Sequence, residues 1–436
     1  MGSLRTCRET SRDMLHEILM KLPARDVARS CCVSRLWHSV AGDPSFRNLH
    51  GAMASHVTSA RAETLLVTVN RKPGRSDEAS VFNVSSGKKA MCCVPIPPGY
   101  GLANVCNGFL CFMHAHGYEA PALVCNPVTG ETVSLPWAPR LLGSEKAVGH
   151  LFALGFSSST KEYKLFRISY PFTYSLSSDE QPMVVDMYTL GDTGGWRKRS
   201  FLSRYRPIIS GRRWTCMQVL LHDKIYMLTD RFNKREIPRR MLVIDVATES
   251  CCTYGLPDYE TRHYEQPMVG VFELNGQLWF VAHVSSPTER IAIRFWVMSP
   301  PGDKDPAVDK EPRWDLCYNF HNEGFTFDRP WGCWLEDEMM CYFMNDTLLR
   351  YDTRKRPPIS TSSCLPWDTK LKLPRAPSMP KCQWNIFRGY RPTLLSPLTF
   401  PMSPSQDDDE DKHQFEHDMF SLLRTMGSVD QSLALR

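Results

Sequence analysis

NGFLCFMHAHGYEAPALVCNPVTGETVSLP, residues 107–136, runs strand, turn, strand, then an Asn-Pro-x-Thr turn and a Leu-Pro exit. Short apolar runs such as Phe109-Leu110-Cys111-Phe112-Met113 are strand-like rather than helical, and Gly, Asn and Pro punctuate them. The same phrase recurs with variations. It begins again at Val81 (VFNVSSGKKAMCCVPIP), at Lys224 (KIYMLTDRFNKREIPRRMLVIDVATESCCTYGLP), at Gly276 (GQLWFVAHVSSPTERIAIRFWVM) and at Asp337 (DEMMCYFMNDTLLRYDTRKR), and one more unit fills Leu154 to Phe201.

The turn anchors Asn83, Asn126, Tyr188, Asp245, Trp296 and Asp352 are 43, 62, 57, 51 and 56 residues apart. That spacing suits a four-stranded propeller blade, so the repeats predict an irregular β-propeller of about six blades, whose closed ring leaves few strand edges open. A large β-sandwich is the alternative architecture.

Upstream the period changes to that of a helix. Leu15, Ile18, Leu19 and Leu22 fall at i, i+3, i+4 and i+7, with Asp13 and Glu17 toward the N-terminal end, Thr10 or Ser11 as a cap and Pro23 as the stop. Val27, Ala28 and Cys31 predict a second short helix, and Leu36, Trp37 and Val40 a third, closed by Gly42-Asp43-Pro44. A unit under about 40 residues rarely buries its own apolar surface, so a partner is expected on it.

This arrangement resembles the F-box, through Asp13, Leu15, Glu17-Ile18-Leu19, Leu22-Pro23, Val33, Trp37 and Asp43-Pro44-Ser45-Phe46. It departs from the family in opening with Thr10-Ser11 where Leu-Pro is usual, which removes apolar contact. The resemblance implies docking to a Skp-type adaptor, and through it to a cullin-RING ubiquitin ligase, by Met14, Leu15, Ile18, Leu19, Leu22, Pro23, Val33 and Trp37. The repeats in turn resemble the F-box-associated, kelch-like domain of plant F-box proteins. The phrases that carry this are Cys106-Asn107-Gly108-Phe109-Leu110-Cys111, Cys125-Asn126-Pro127-Val128-Thr129-Gly130, Leu154-Gly155-Phe156-Ser157 with Glu162-Tyr163-Lys164-Leu165, and Leu394-Leu395-Ser396-Pro397. That likeness implies substrate recognition. The mainly β chain then divides into a three-helix F-box at 1–50, a linker at 51–61, a propeller at 62–400, and an acidic tail at 401–436 with a short amphipathic helix.

Composition narrows the classes. With 42% hydrophobic and 23% charged residues the 436-residue chain reads as a folded protein, and its net charge of +5 is too mild to imply nucleic acid. Sixteen cysteines lie scattered or in adjacent pairs, without the spacing of a small secreted framework, and read as reduced thiols. No apolar run reaches the roughly 18 residues a bilayer needs, so no membrane partner is expected and the protein reads as cytosolic or nuclear.

Chemistry is sparse. Cys111 with His114 and His116 has no second ligand pair at a defined offset, no phosphate loop or nucleophile elbow is present, and the Asp192 to Trp196 stretch reads as a hairpin turn. Neither a metal, a cofactor nor a catalytic residue is expected. The chain reads as a non-catalytic substrate receptor; a regulatory scaffold that spares its client, or a propeller hydrolase or sugar binder, are the alternatives.

Residues 197–213 carry seven Arg or Lys and no acid, and 231–240 carry five against Glu236. As loops on one rim they would draw an acidic or phosphorylated protein substrate, with Arg197, Lys198, Arg199, Arg212 and Arg213 supplying charge and Trp196 or Trp214 a flat apolar anchor. Solvated connections are the plainer reading; stacking of nucleic-acid bases on Tyr205 and Trp214 is the other.

Overall fold

The helices come first. In the computed structural model α1 spans Gly2–Met20, α2 Ala24–Ser30, α3 Arg35–Gly42 and α4 Pro44–His56. The structure describes residues 2–56, 63–70, 76–84, 91–114, 120–139, 148–171, 180–208, 218–231, 239–259, 269–284, 292–299, 311–321, 332–336, 338–344, 347–352, 354, 369–372 and 384–399. Thr10 and Ser11 lie inside α1 rather than at its start, because without a proline at this point the helix ladder runs on toward Gly2. Four helices stand where three were expected. Gly42-Asp43-Pro44 does not close the unit: Asp43 Oδ1 accepts from the amides of Ser45 at 2.9 Å and Phe46 at 3.4 Å, and Pro44 takes the first position of α4. That helix continues through the first half of the segment read as a linker.

The core of this module is Leu15, Leu19, Ala24, Val27, Val40, Ala41 and Phe46. Ser34 caps α3 by accepting from Trp37 N at 3.3 Å, and His50 on α4 meets the Leu22 carbonyl at 2.9 Å.

Six sheets follow among the described residues, every strand pair antiparallel. The first blade holds β1 (Glu63–Asn70), β2 (Asp77–Asn83) and β3 (Cys92–Ile96). The second holds β4 (Tyr100–Cys106), β5 (Phe109–His114), β6 (Leu123–Cys125) and β7 (Thr132–Ser134). The third holds β8 (Val148–Ser157), β9 (Glu162–Pro171), β10 (Gln181–Thr189) and β11 (Arg197–Ser203). The fourth has β12 (Tyr205–Pro207), β13 (Gln218–Leu221), β14 (Lys224–Arg231), β15 (Arg240–Asp245) and β16 (Cys251–Gly255). The fifth has β17 (Val269–Leu274), β18 (Gln277–Val284), β19 (Ala292–Ser299) and β20 (Arg313–His321). The sixth has β21 (Gly332–Glu336), β22 (Met339–Met344), β23 (Thr347–Asp352) and β24 (Thr369–Lys372). Finally β25 (Trp384–Tyr390) pairs with β1, so the last of the described strands completes the first blade and closes the ring.

Apolar cores fill the seams between neighbouring blades. Leu65, Val81 and Val94 of the first meet Leu110 and Phe112 of the second; Phe109 and Val124 meet Leu154 and Tyr163. Phe166 and Val185 meet Met227 and Leu242, and Leu228 and Val243 meet Val271 and Phe280. Arg350 of the sixth blade donates to the Val84 carbonyl of the first at 3.1 Å.

Two turns explain the repeats. Asn107-Gly108, His222-Asp223 and Asn275-Gly276 have positive φ at both residues, the two-residue hairpin geometry that suits twisted strands. Asn126 and Asp245 build the second turn in the same way: Oδ1 accepts from Val128 N or Thr248 N at 2.8 Å, and the carbonyl accepts from Gly130 N or Glu249 N at 2.8 Å. All six anchors quoted above fall on, or directly after, the third strand of their blade. The spacing of the anchors is the spacing of the blades.

Candidate functional site

Alternating strand direction sorts the connections into two ends. First-to-second and third-to-fourth turns emerge at one end, among them 107–108, 126–131, 158–161, 222–223, 246–250 and 275–276. The opposite strand ends, where second strands finish and third strands begin, lie at the other end together with the inter-blade turn 97–99.

The helical module sits on the first end. Arg25 donates to both carboxylate oxygens of Glu63, at 2.6 and 2.5 Å, and Asn83 Nδ2 donates to the same group at 2.6 Å. Arg47 Nη1 donates to Glu131 Oε1 at 2.8 Å, from α4 to the second blade. Both pairs are largely shielded from solvent, which makes them stronger than exposed pairs and fixes orientation.

The eight residues expected to meet an adaptor divide by this packing. Met14, Ile18 and Val33 are 60, 50 and 65% exposed, whereas Leu15 is 6% and Leu19 0% exposed. A step of about 100° per residue turns positions 14 and 18 outward and 15 and 19 inward, so Leu15 and Leu19 fill the module's own core. Leu22 and Trp37 are half-buried against that core, and Pro23 is exposed between α1 and α2. Leu36, also exposed, joins the outward apolar residues; its spacing on α3 does not distinguish it from Trp37, and only the packing of α1 on α3 does. Exposed apolar side chains gathered on elements that touch mark a surface that gains by being covered.

The Arg197 start of the first basic segment lies at the opposite end of the ring from the strand ends that flank the second. Residues 197–203 are the strand β11, the outer edge of the third blade, where charge discourages pairing with a foreign strand. Its Arg197 end belongs to the module's end of the ring: Arg197 donates to Asp192 Oδ2 at 3.1 Å and to Glu249, in the β15 to β16 turn. The segment 231–240 joins the opposite ends of β14 and β15. Trp196 is half-buried against Tyr188, with ring centroids 5.5 Å apart, and so belongs to the seam between the second and third blades. Lys198 and Arg199 are exposed on the edge strand; Arg212, Arg213 and Trp214 lie outside the described residues.

The other arginines described near these segments have acids beside them: Arg204 with Glu180 at 3.2 Å, Arg206 with Asp230 at 4.0 Å, Arg239 with Asp258 at 2.9 Å and Arg240 with Glu311 at 2.8 Å. Five of the twelve basic residues read from the sequence, Arg197, Arg204, Arg206, Arg239 and Arg240, thus have acidic partners within the fold. At Glu249, burial works against ionisation, but hydrogen bonds from Arg197 and Lys164 outweigh it and hold the carboxyl below its ordinary range.

Isolated titratable groups are packing residues. Burial pushes the Cys111 thiol up to about 12, and His114 packs its ring on Tyr100 with centroids 5.6 Å apart; residue 116 lies outside the described residues. Among the described residues no group of three ligands could hold a metal. Burial, then the Arg167 charge, lowers His150 from 6.5 to about 4, while its Nδ1 lies 3.0 Å from Ser169 Oγ. The unfolded chain takes up a proton there that the native fold resists, so stability should fall as pH drops from 6.5 toward 4. His150→Gln should flatten that part of the slope, measured as urea midpoints at about pH 4.5 and about pH 7.

Residues 11–49 match the F-box domain, and residues 99–331, more than half the chain, match the F-box associated beta propeller domain. An F-box protein of Arabidopsis thaliana is 31% identical over 138 residues, 28% of this chain and 29% of its own length. Two putative F-box proteins of the same plant are 27% and 29% identical, over 36% and 37% of this chain and 41% and 40% of theirs. The chain thus spans less than half the length of each of these relatives. With four helices built around the F-box match and six blades around the propeller match, the chain belongs to the F-box proteins that carry an F-box-associated β-propeller domain.

Proposed function

We propose that this protein is the substrate-receptor subunit of an SCF-type cullin-RING ubiquitin ligase. Its helical module docks a Skp-type adaptor, and its propeller holds the target at the end facing away from that module. The observation that carries the reading is the outward set Met14, Ile18, Val33 and Leu36, apolar and uncovered on a module otherwise packed against the ring. The far end suits recognition because it receives the inter-blade connections, where length and sequence can change without disturbing the strands. In this role the receptor raises the local concentration of a target lysine near a charged conjugating enzyme and makes or breaks no bond itself.

The deciding experiment is capture of a purified Skp-type adaptor by the full chain and by Ile18→Asp. Ile18 is half exposed, so the substitution spares the core and places a charge in the interface, where several kcal/mol of desolvation should weaken capture at least about 100-fold. Equal capture by both chains, with unchanged circular dichroism, would refute the assignment. Leu15→Asp cannot serve here, since it would break the module from within. Client lifetime with and without Ile18→Asp then separates a degradative receptor from a scaffold.

A further inference from the structure

Ring closure and the helical module share one segment of chain. After β25 the backbone leaves the innermost position of the first blade and runs along the module's end of the ring through residues 391–399. Asn126 Nδ2 grips it twice, donating to the Thr393 carbonyl at 3.0 Å and the Leu395 carbonyl at 2.7 Å. Gly108 lies directly beneath: a Cβ there would stand 2.5 Å from the Arg391 carbonyl oxygen. From this track Leu394 enters the helical module. It is 2% exposed and belongs to the same apolar cluster as Leu15, Leu19, Val27 and Phe46. Leu395 lies against α4, where a Cβ on Gly51 would come within 2.8 Å of its Cγ.

We propose that residues 391–399 are a strap that makes the helical module competent only once β25 has closed the ring. A module of this size has too little apolar surface to spare a buried leucine, and that leucine lies about 370 residues after α1 in the chain. The N-terminal helices are made first, yet their core is completed last. The consequence for the ligase, which rests on the receptor reading, is that a chain with an unfinished or opened propeller presents a loosened docking face and is not recruited.

The test uses the full chain with Leu394→Asp, and Leu398→Asp as the control because Leu398 is 59% exposed. Amide exchange is followed in α1–α3 and in the third to fifth blades, with adaptor capture measured on the same samples. The strap predicts exchange in α1–α3 at least ten-fold faster in Leu394→Asp, blades unchanged, capture lowered in step and the control silent. Protection of α1–α3 equal to the parent chain would overturn it. If Leu394→Asp unfolds the blades as well, Leu394→Ala decides: faster exchange confined to the helices supports the strap, and uniform acceleration overturns it. Failure of the parent chain to capture any adaptor would count against the receptor reading alone, since exchange still reports on the strap.

Discussion

Asp186→Ala is expected to destabilise the propeller by about 3–5 kcal/mol, since it strands a buried charge. Arg167 on β9 and Asp186 on β10 stand opposite one another in the register, 0% and 1% exposed. Arg167 donates to Asp186 Oδ2 from Nε at 3.0 Å and from Nη2 at 2.7 Å, and also to the Pro139 carbonyl, while its Nη1 has no hydrogen-bond partner. One donor is already unsatisfied, so the guanidinium has no local substitute for the carboxylate. Urea unfolding should show the loss, and Arg167→Met with Asp186→Leu should recover most of it, because replacing both partners removes the uncompensated charge. A single variant as stable as the parent would mean that water reaches this seam.

The second large effect should come from Gly108→Ala. Gly108 has φ of +87°, and an added methyl would meet the Arg391 carbonyl oxygen at 2.5 Å and Thr393 Cγ2 at 2.6 Å. Left-handed strain for a residue with a Cβ is about 1–2 kcal/mol, and collision with backbone adds to it. The sum should exceed about 2 kcal/mol, and Arg391 and Thr393 must shift to relieve it. Gly130 provides the comparison, with φ of +76° and nothing within 4 Å of its Cβ position. Gly130→Ala should carry the strain alone and cost roughly half as much or less. Equal midpoints for the two variants in urea would show that contact with the strap adds nothing.

The local geometry of this protein was written plainly in its sequence. Asn126 and Asp245 had to stand where a turn follows a third strand: the side chain accepts from the amide two residues on at Asn126 and three on at Asp245, and both backbone carbonyls accept from the amide four residues on. Short apolar runs broken by turn residues located the strands because both faces of a blade pack on its neighbours, Leu110 and Phe112 toward the first blade and Phe109 and Cys111 toward the third. The helical stripe located α1, but could not divide Leu15 from Ile18, since the stripe reports apolar width and not which part of it a neighbouring helix covers. Asp43-Pro44 was legible as a turn and, on the same residues, as an N-cap and first helical position; Phe46, wholly buried among the helices, decides between them. The basic run at 197–213 reads as a loop in the sequence because composition does not distinguish an edge strand from one; its first seven residues are β11, and one acidic partner of Arg197, Glu249, comes from another blade. Contacts such as Asn126 with Leu395, 269 residues apart, have no local signature at all.

Innermost strands of blades that are not neighbours also touch. Gln218 of the fourth blade donates from Nε2 to the Ala103 carbonyl of the second at 2.7 Å, and β25 of the first meets β13 of the fourth and β17 of the fifth. In linear arrays of repeats each unit contacts only the units beside it, and melting can then proceed unit by unit. A ring tied across its own axis loses that freedom. Releasing one blade strips contacts from blades on the far side, so the domain should melt as a single cooperative body despite the loose spelling of its repeats.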